Sequence, residues 1–600
     1  MSKKQLTRDQ VPENLTWDVT DIFKTEAEFN KAIKQVQSQI KAINQFEETV
    51  TDNAQNLLKT TELLYQSEEL LLKVYGYATR INDGDTADAH GNDLKNQALL
   101  LLNDWETAVA FFDPAVAKLS KPQLEAFLVA EPALKKYSFN LQRIQAQAEH
   151  TLSPIEEKII AKLQPAIDAA AEISTKLDDA DLSFSMMKDE NGQEVELTNA
   201  TASEFAVSPD QKIRMQASKQ VAKAYHDMRN TFASTLRNHV HAQNIMAELR
   251  HFKSARQMNL ADQKIPEAVY DNLINTTHEH LDLMHDYYKF RKQYLGLDKM
   301  YQFDRHVALV PDAKLALNFE EGKEATMAAL SPLGKDYQAY LKEEFDHRWI
   351  DVAENKGKRS GGYEDDVYGV HPYILLNWND IYDSTSTLAH ESGHALQSVY
   401  TDKAQPFWYS QYPIFIAEIA STLNESLLNH YMMEKYDDNQ QIKAFILTQD
   451  VDNFIGTVYR QTLFAEFEHF IYQSDQHKQT LTPDLMADKF NGLFKEYNGE
   501  AVTDLPWSDD TWAQIPHFYY DYYVYQYATS KAIAVSLADD IIKQKPGALT
   551  KYKEFLSAGA SDYPVEIVKK AGIDVTKNDY LNHAFEVFGT EVKNLKELLK

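Results

Sequence analysis

The sequence predicts a mainly α-helical protein, and three observations carry that expectation. Glycine and proline number only 19 and 18 in 600 residues, about 3% each against a usual share of roughly 7% and 5%, so turn-rich all-β folds are disfavoured. Amphipathic patterns with helical spacing dominate from about residue 23 to 175, from 209 to 295 and from 411 to the end. Strand signals are confined to two short stretches, 182–198 and 371–378. With 44% hydrophobic and 25% charged residues, the chain has the composition of a globular protein with a large core.

In the first helical region Leu63, Leu70, Val74 and Tyr77 fall at seven-, four- and three-residue steps on one face. Leu182, Phe184 and Met186 then alternate, Asn191-Gly192 supplies a turn that tolerates positive φ, and Val195 and Leu197 alternate again. This reads as a β-hairpin. It places a boundary near residue 200, giving an N-terminal helical lobe over 1–200 and a second domain over 201–600. Within the latter, Gly361-Gly362 lies in the polar string GKRSGGYEDD, which predicts a loop, and HPYILLNW (371–378) predicts a strand.

Charge and composition exclude several functions. A balance of 61 Lys+Arg against 90 Asp+Glu gives a net charge of −29, so nucleic acid is not an expected partner. No apolar run of 18 residues and no apolar leader are present, so no membrane partner is expected and the chain reads as cytoplasmic. With no cysteine, thiolate catalysis, iron–sulfur clusters and Cys-based zinc sites are excluded, and any metal must be held by His, Asp and Glu.

The string STSTLAHESGHALQSVY predicts a helix opening near Asp383 and Ser384, both good N-cap residues. On it His390 and His394 stand at i and i+4, one turn apart on one face, while Leu388, Ala395 and Val399 lie on another. Two imidazoles so spaced can share one Zn²⁺, and Glu391 can reach water on that metal without being a ligand. H-E-x-x-H arises by accident about 0.05 times in a chain of this composition, so the surroundings must decide. A catalytic site needs another ligand, and PIFIAEIASTLNESLLNHY supplies it: Ile416, Ala420, Leu423, Leu427 and Tyr431 form an apolar stripe, Glu418 sits off it as third ligand, and Glu425 shares its face as a carboxylate that orients an imidazole.

HESGHALQ followed by FIAEIASTLNE resembles the oligoendopeptidase F branch of the thimet oligopeptidase family of zinc metallopeptidases. The likeness extends to HPYILLNW, to the Tyr-rich PHFYYDYYVYQYATS (516–530) and weakly to LTWDVTDIF. It implies a two-lobed, helical, zincin-like enzyme with a small β-sheet near the active site and one zinc at the floor of a deep substrate channel, cleaving short peptides internally. By that similarity His390, His394 and Glu418 match the metal ligands and Glu391 the catalytic carboxylate. The family's oxyanion donors, a His and two tyrosines three apart, align with His517, Tyr522 and Tyr525, with Tyr519 and Tyr523 as alternatives. Tyr373, Leu375 and Asn377 of the strand, which would pair by its edge with substrate, and Gly361 and Gly362 of the loop complete the expected substrate contacts. The expected partners are short peptides, and the expected state is a monomer or small homo-oligomer.

Two other readings fit the same residues. A zinc carboxypeptidase or dipeptidase would need a cation for the substrate's terminal carboxylate, for which Lys358 or Arg359 is available. A non-catalytic helical scaffold carrying an accidental HExxH would bind no stoichiometric zinc.

Overall fold

The computed structural model describes residues 5–600. The chain forms two compact units, each built from three segments. The first comprises Met1–Thr151, Leu315–Lys435 and Leu537–Ile573, the second Leu152–Lys314, Tyr436–Ser536 and Asp574–Lys600. The expected boundary at residue 200 falls inside a segment of the second unit, because the chain returns to each unit twice and no single cut separates them.

In the first unit the helices Glu26–Ile43, Ala54–Gly84 and Ala89–Val109 start at the caps their sequence provides. Thr25, Asn53 and Asp88 accept from the backbone N–H of Glu28, Asn56 and Gly91, satisfying donors that a helix start leaves free. Val74 and Tyr77 are buried as expected. Leu63 and Leu70 are only half-buried, since the buried face is centred on Leu57, Leu64 and Leu71. Tyr373 and Leu375 pack into the same core as these helices.

A three-stranded sheet stands beside that core, in the order Ile350–Asp351, Tyr373–Leu375, Tyr363–Asp365. The middle strand pairs in parallel with the first, Ile350 opposite Ile374, and antiparallel with the third, Glu364 opposite Ile374. The edge pairing with substrate expected of HPYILLNW is therefore unavailable there: both edges are taken, and Leu376 and Trp378 donate further backbone hydrogen bonds to Asp351 and Val352.

In the second unit, Met187–Lys188 and Glu194–Val195 form the expected antiparallel hairpin, with Gly192 at φ +78° in its turn. The rest of that unit is mainly helical, with one parallel pair of two-residue strands, Met300–Tyr301 and Val502–Thr503. Among the described residues no helix is long and apolar enough to cross a membrane.

Candidate metal centre

Two helices of the first unit build the site, Tyr382–Ala404 and Ile414–Lys435. The first begins slightly before the expected cap. Asp383 lies in its opening turn, where a carboxylate complements the helix dipole, and the Ser384 hydroxyl accepts from Asn379 N–H at 3.1 Å. Leu388, Ala395 and Val399 are buried as the periodicity requires. The second helix starts just after Pro413 and buries Ile416, Ala420, Leu423 and Leu427.

Gly393 lets the two helices approach closely. A Cβ there would lie 2.5 Å from Ser421 Cα and 2.7 Å from Ala420 O. The contact is pinned by Asn424, whose side-chain amide donates to Ala389 O at 3.0 Å.

This approach brings three ligand atoms together. His390 Nε2 and His394 Nε2 are 3.2 Å apart, and Glu418 Oε2 lies 3.4 Å from the first and 3.5 Å from the second. His390 Nδ1 lies 2.9 Å from Glu425 Oε1. A carboxylate only accepts, so Nδ1 carries a proton towards Glu425, and in the neutral imidazole that a metal requires Nε2 is the lone-pair nitrogen on the side of Glu418. An acceptor nitrogen facing a carboxylate oxygen and a second imidazole nitrogen is an arrangement a cation satisfies, and separations near 3.4 Å suit three ligands at roughly 2.0–2.2 Å from one ion. The residues present fit a zinc site of the two-His, one-carboxylate kind.

Burial opposes ionisation of Glu418, but the hydrogen bonds and charges of His390 and His394 outweigh it and hold the carboxyl well below its usual range. Burial disfavours a charged His390, and Glu418 and Glu425 overcome it. Glu391 is 7% exposed. Burial raises its pKa, the histidines' charges oppose that rise and Glu418 adds to it.

The Gly361-Gly362 loop leads directly to Glu391. Gly361 has φ +85°, and a Cβ on Gly362 would stand 3.5 Å from Glu391 Oε1. The backbone of Glu364, in the following strand, donates to the Glu391 carboxylate. Asn377 holds this loop, its side-chain amide donating to Arg359 O at 2.9 Å and Gly361 O at 2.8 Å. Tyr412, which the sequence does not single out, also belongs here: its hydroxyl is 3.5 Å from Ser398 Oγ, and burial and then the charges of Glu364, Asp366 and Glu418 raise its pKa. It lies in an irregular loop, where no periodicity marks it.

Other expected contacts are placed elsewhere. Tyr373 and Leu375 are wholly buried, and the Tyr373 hydroxyl donates to Asp18 O at 3.0 Å. Lys358 is buried against Asp351 at 2.7 Å and Arg359 pairs with Asp83 at 3.0 Å, so neither is a cation waiting for a substrate carboxylate.

The Tyr-rich segment, in the second unit, is not one helix. A short 3-10 turn, Pro516–Tyr519, is followed by left-handed residues Asp521 and Tyr522, with φ +51° and +58°, before the helix Tyr525–Ile542 begins. That turn sorts the rings. Tyr522 and Tyr525, 3% and 1% exposed, pack on Tyr270 with ring centroids 5.5 and 5.2 Å away. Their expected role facing substrate is corrected accordingly, since a hydroxyl sealed in a core cannot meet a substrate oxygen. Tyr519 is packed too, its hydroxyl 2.8 Å from Thr235 Oγ1. His517 instead keeps company with Tyr520, Tyr523 and Tyr527, at 5.4, 6.5 and 6.0 Å between ring centroids. Tyr520 and Tyr523 are also three apart in sequence.

The profile of peptidase family M3 matches residues 205–587, and that of oligopeptidase F matches 116–184. The chain is 37% identical to oligopeptidase PepF of Bacillus subtilis over 99% of its own length and 88% of that protein's. It is 36% identical to the plasmid-encoded oligoendopeptidase F of Lactococcus lactis subsp. cremoris, covering 99% and 98% of the two chains. The crystal structure of oligoendopeptidase-F from Enterococcus faecium superposes with a TM-score of 0.75 at 33% identity, over 96% of this chain and 99% of that one. Sequence and fold agree over almost the whole length, and the chain belongs to peptidase family M3, in its oligopeptidase F branch.

Proposed function

We propose that the chain is a zinc-dependent endopeptidase that hydrolyses internal bonds of short peptides, with His390, His394 and Glu418 as ligands and Glu391 as the catalytic carboxylate. One observation carries this reading: two imidazole nitrogens and a carboxylate oxygen converge within 3.5 Å of one another, with Glu391 on the same helix as the imidazoles. When bound, Zn²⁺ polarises the scissile carbonyl and makes water nucleophilic near neutral pH. The Glu391 carboxylate accepts the proton of the attacking water and hands it to the departing amine. Its burial raises its basicity while the neighbouring histidines keep it ionisable. Glu425 fixes the His390 tautomer from behind. For donors to the developing oxyanion the Tyr-rich segment offers His517 and the tyrosines grouped around it, Tyr520, Tyr523 and Tyr527.

The carboxypeptidase alternative loses its support from Lys358 and Arg359, both of which are paired internally. Metal analysis of the purified protein should find one zinc per chain, and 1,10-phenanthroline should abolish hydrolysis. A peptide blocked at both ends should still be cut, at an internal bond. Undiminished activity in a zinc-free preparation, or cleavage confined to peptides with a free terminus, would overturn this reading.

A further inference from the structure

Asp83 stands in the last turn of the helix Ala54–Gly84, where the helix dipole disfavours a carboxylate, and it is 1% exposed. Helix stability does not account for an acid there, but its partners do. Its Oδ1 accepts from Lys95 Nζ at 3.2 Å, and its Oδ2 accepts both from Arg359 Nη1 at 3.0 Å and from the Tyr363 hydroxyl at 2.8 Å. Arg359 and Tyr363 are the two ends of the loop that contains Gly361-Gly362, so one buried oxygen atom gathers both ends. The Arg359 guanidinium also lies over the Tyr363 ring, at 5.0 Å.

The same helix end is joined to the chain leading into the loop. Arg359 N–H donates to Asp83 O at 2.9 Å and the Asn355 amide to Gly84 O at 3.0 Å, taking up carbonyls that a helix end leaves free. Thr86 N–H donates to Gly357 O at 2.7 Å. Asn377 holds the loop's middle through Arg359 O and Gly361 O. What the loop carries touches Glu391. A Cβ on Gly362 would stand 3.0 Å from Thr387 Cγ2 and 3.5 Å from Glu391 Oε1, and Glu364, just after Tyr363, donates its backbone N–H to the Glu391 carboxylate.

We infer that Asp83 is a positioning residue for Glu391: by gathering both ends of the 359–363 loop on one oxygen, it holds the Glu364 N–H and the bare backbone of Gly362 against that carboxylate. The inference rests on the reading of Glu391 as the catalytic carboxylate. A group that takes a proton from attacking water acts from a fixed place, since a misplacement of about 1 Å can cost roughly 10²-fold in rate. A buried carboxylate with three donors makes such a fixed point, because removing any partner leaves the others unmatched.

The test measures kcat, KM and zinc content in variants that leave the core packed. Tyr363→Phe keeps the ring, and Arg359, whose side chain is half exposed, tolerates Gln. Each should lower kcat roughly 3- to 10-fold with KM and zinc content near wild type, and the two together, or Asp83→Asn, roughly 10- to 100-fold. Arg359→Lys, which keeps a cation for Asp83, should recover part of the loss. Backbone hydrogen exchange over residues 360–365 should speed up roughly 10-fold or more in the same variants, a readout that needs no turnover. On a Glu391→Gln background the substitutions should lower the residual activity no further, since the route from Asp83 runs through that carboxylate. Wild-type kcat in the doubly substituted loop, unchanged exchange, a raised KM with kcat unchanged, or the same fold-loss on Glu391→Gln as on the wild type would each overturn the inference. Full activity of Glu391→Gln itself refutes the reading of that residue, whereas an inactive Glu391→Gln beside fully active loop variants refutes this inference alone.

Discussion

His390 Nδ1 lies 2.9 Å from Glu425 Oε1, a residue two turns beyond Glu418 on the neighbouring helix. This one contact decides which imidazole nitrogen is free to bind a metal. Glu425→Gln replaces a strong acceptor with a neutral amide and should lower zinc affinity roughly 10- to 100-fold, measured by competition with a calibrated chelator. Unchanged affinity would leave Glu425 as packing.

Glu391→Gln should keep zinc and the fold but lose hydrolysis by roughly 10²–10⁴. Single-turnover assays at matched zinc content check this. Wild-type turnover in that variant would remove Glu391 from the mechanism.

Gly393→Ala should destabilise the protein by about 1–3 kcal/mol or more, because its Cβ would stand 2.5 Å from a backbone atom of Ser421, which cannot rotate away. Separating the two helices also moves Glu418 from the histidines, so lower zinc affinity should accompany the lower melting temperature. A variant of wild-type stability would show that the helices part without cost.

The buried rings make a kinetic prediction. Phe substitution at Tyr523 or Tyr527 should lower kcat by roughly 10²–10³ at one of the two positions with KM little changed, the mark of a lost oxyanion donor. Tyr525→Phe should leave kcat near wild type, its hydroxyl being enclosed beside Tyr270. The reverse pattern would return the donor role to Tyr525.

Glu344, 1% exposed, has its carboxyl pushed up to about 8 by burial, against a hydrogen bond from Ser392 that lowers it. The folded state therefore binds a proton between pH 4.5 and 8 that the unfolded state has released, and this residue's contribution to stability falls as pH rises through that window, then levels above it. Glu344→Gln keeps the acceptor for Ser392 and should remove the decline, so its stability advantage should grow from near zero at pH 4.5 to a few kcal/mol at pH 8, of order 1.4 kcal/mol per unit. Parallel denaturant curves of the two proteins would show a constant offset if Glu344 does not titrate.

What could be read from sequence follows from what each signal measures. The convergence of His390, His394 and Glu418 was legible because a helix fixes i and i+4 on one face, and because Glu418 sits off an apolar stripe that had to be buried. The hairpin was legible from Asn191-Gly192. HPYILLNW announces a strand but not its neighbours: its wholly apolar centre signals burial on both faces, whereas the occupied edges come from residues 350–351 and 363–365, too short to show periodicity. Six tyrosines between 519 and 527 look alike in a helical register. Two left-handed residues, at positions where no glycine warns of them, turn Tyr522 and Tyr525 inward and leave Tyr520 and Tyr523 with His517.

The twofold return of the chain to each unit bears on biosynthesis. A nascent chain emerging from the ribosome normally lets an N-terminal domain fold before the next is made. Here the unit with the candidate metal centre has its first 151 residues early, waits through 163 residues of the other unit for the segment carrying His390 and Glu418, and is complete only when Ile573 has been synthesised. The Tyr373 strand must find a core whose helices were translated some 270 residues earlier. Vectorial folding thus gives little protection. The apolar faces of the early helices wait exposed, and stalled or truncated translation products should depend on chaperones far more than the finished enzyme does.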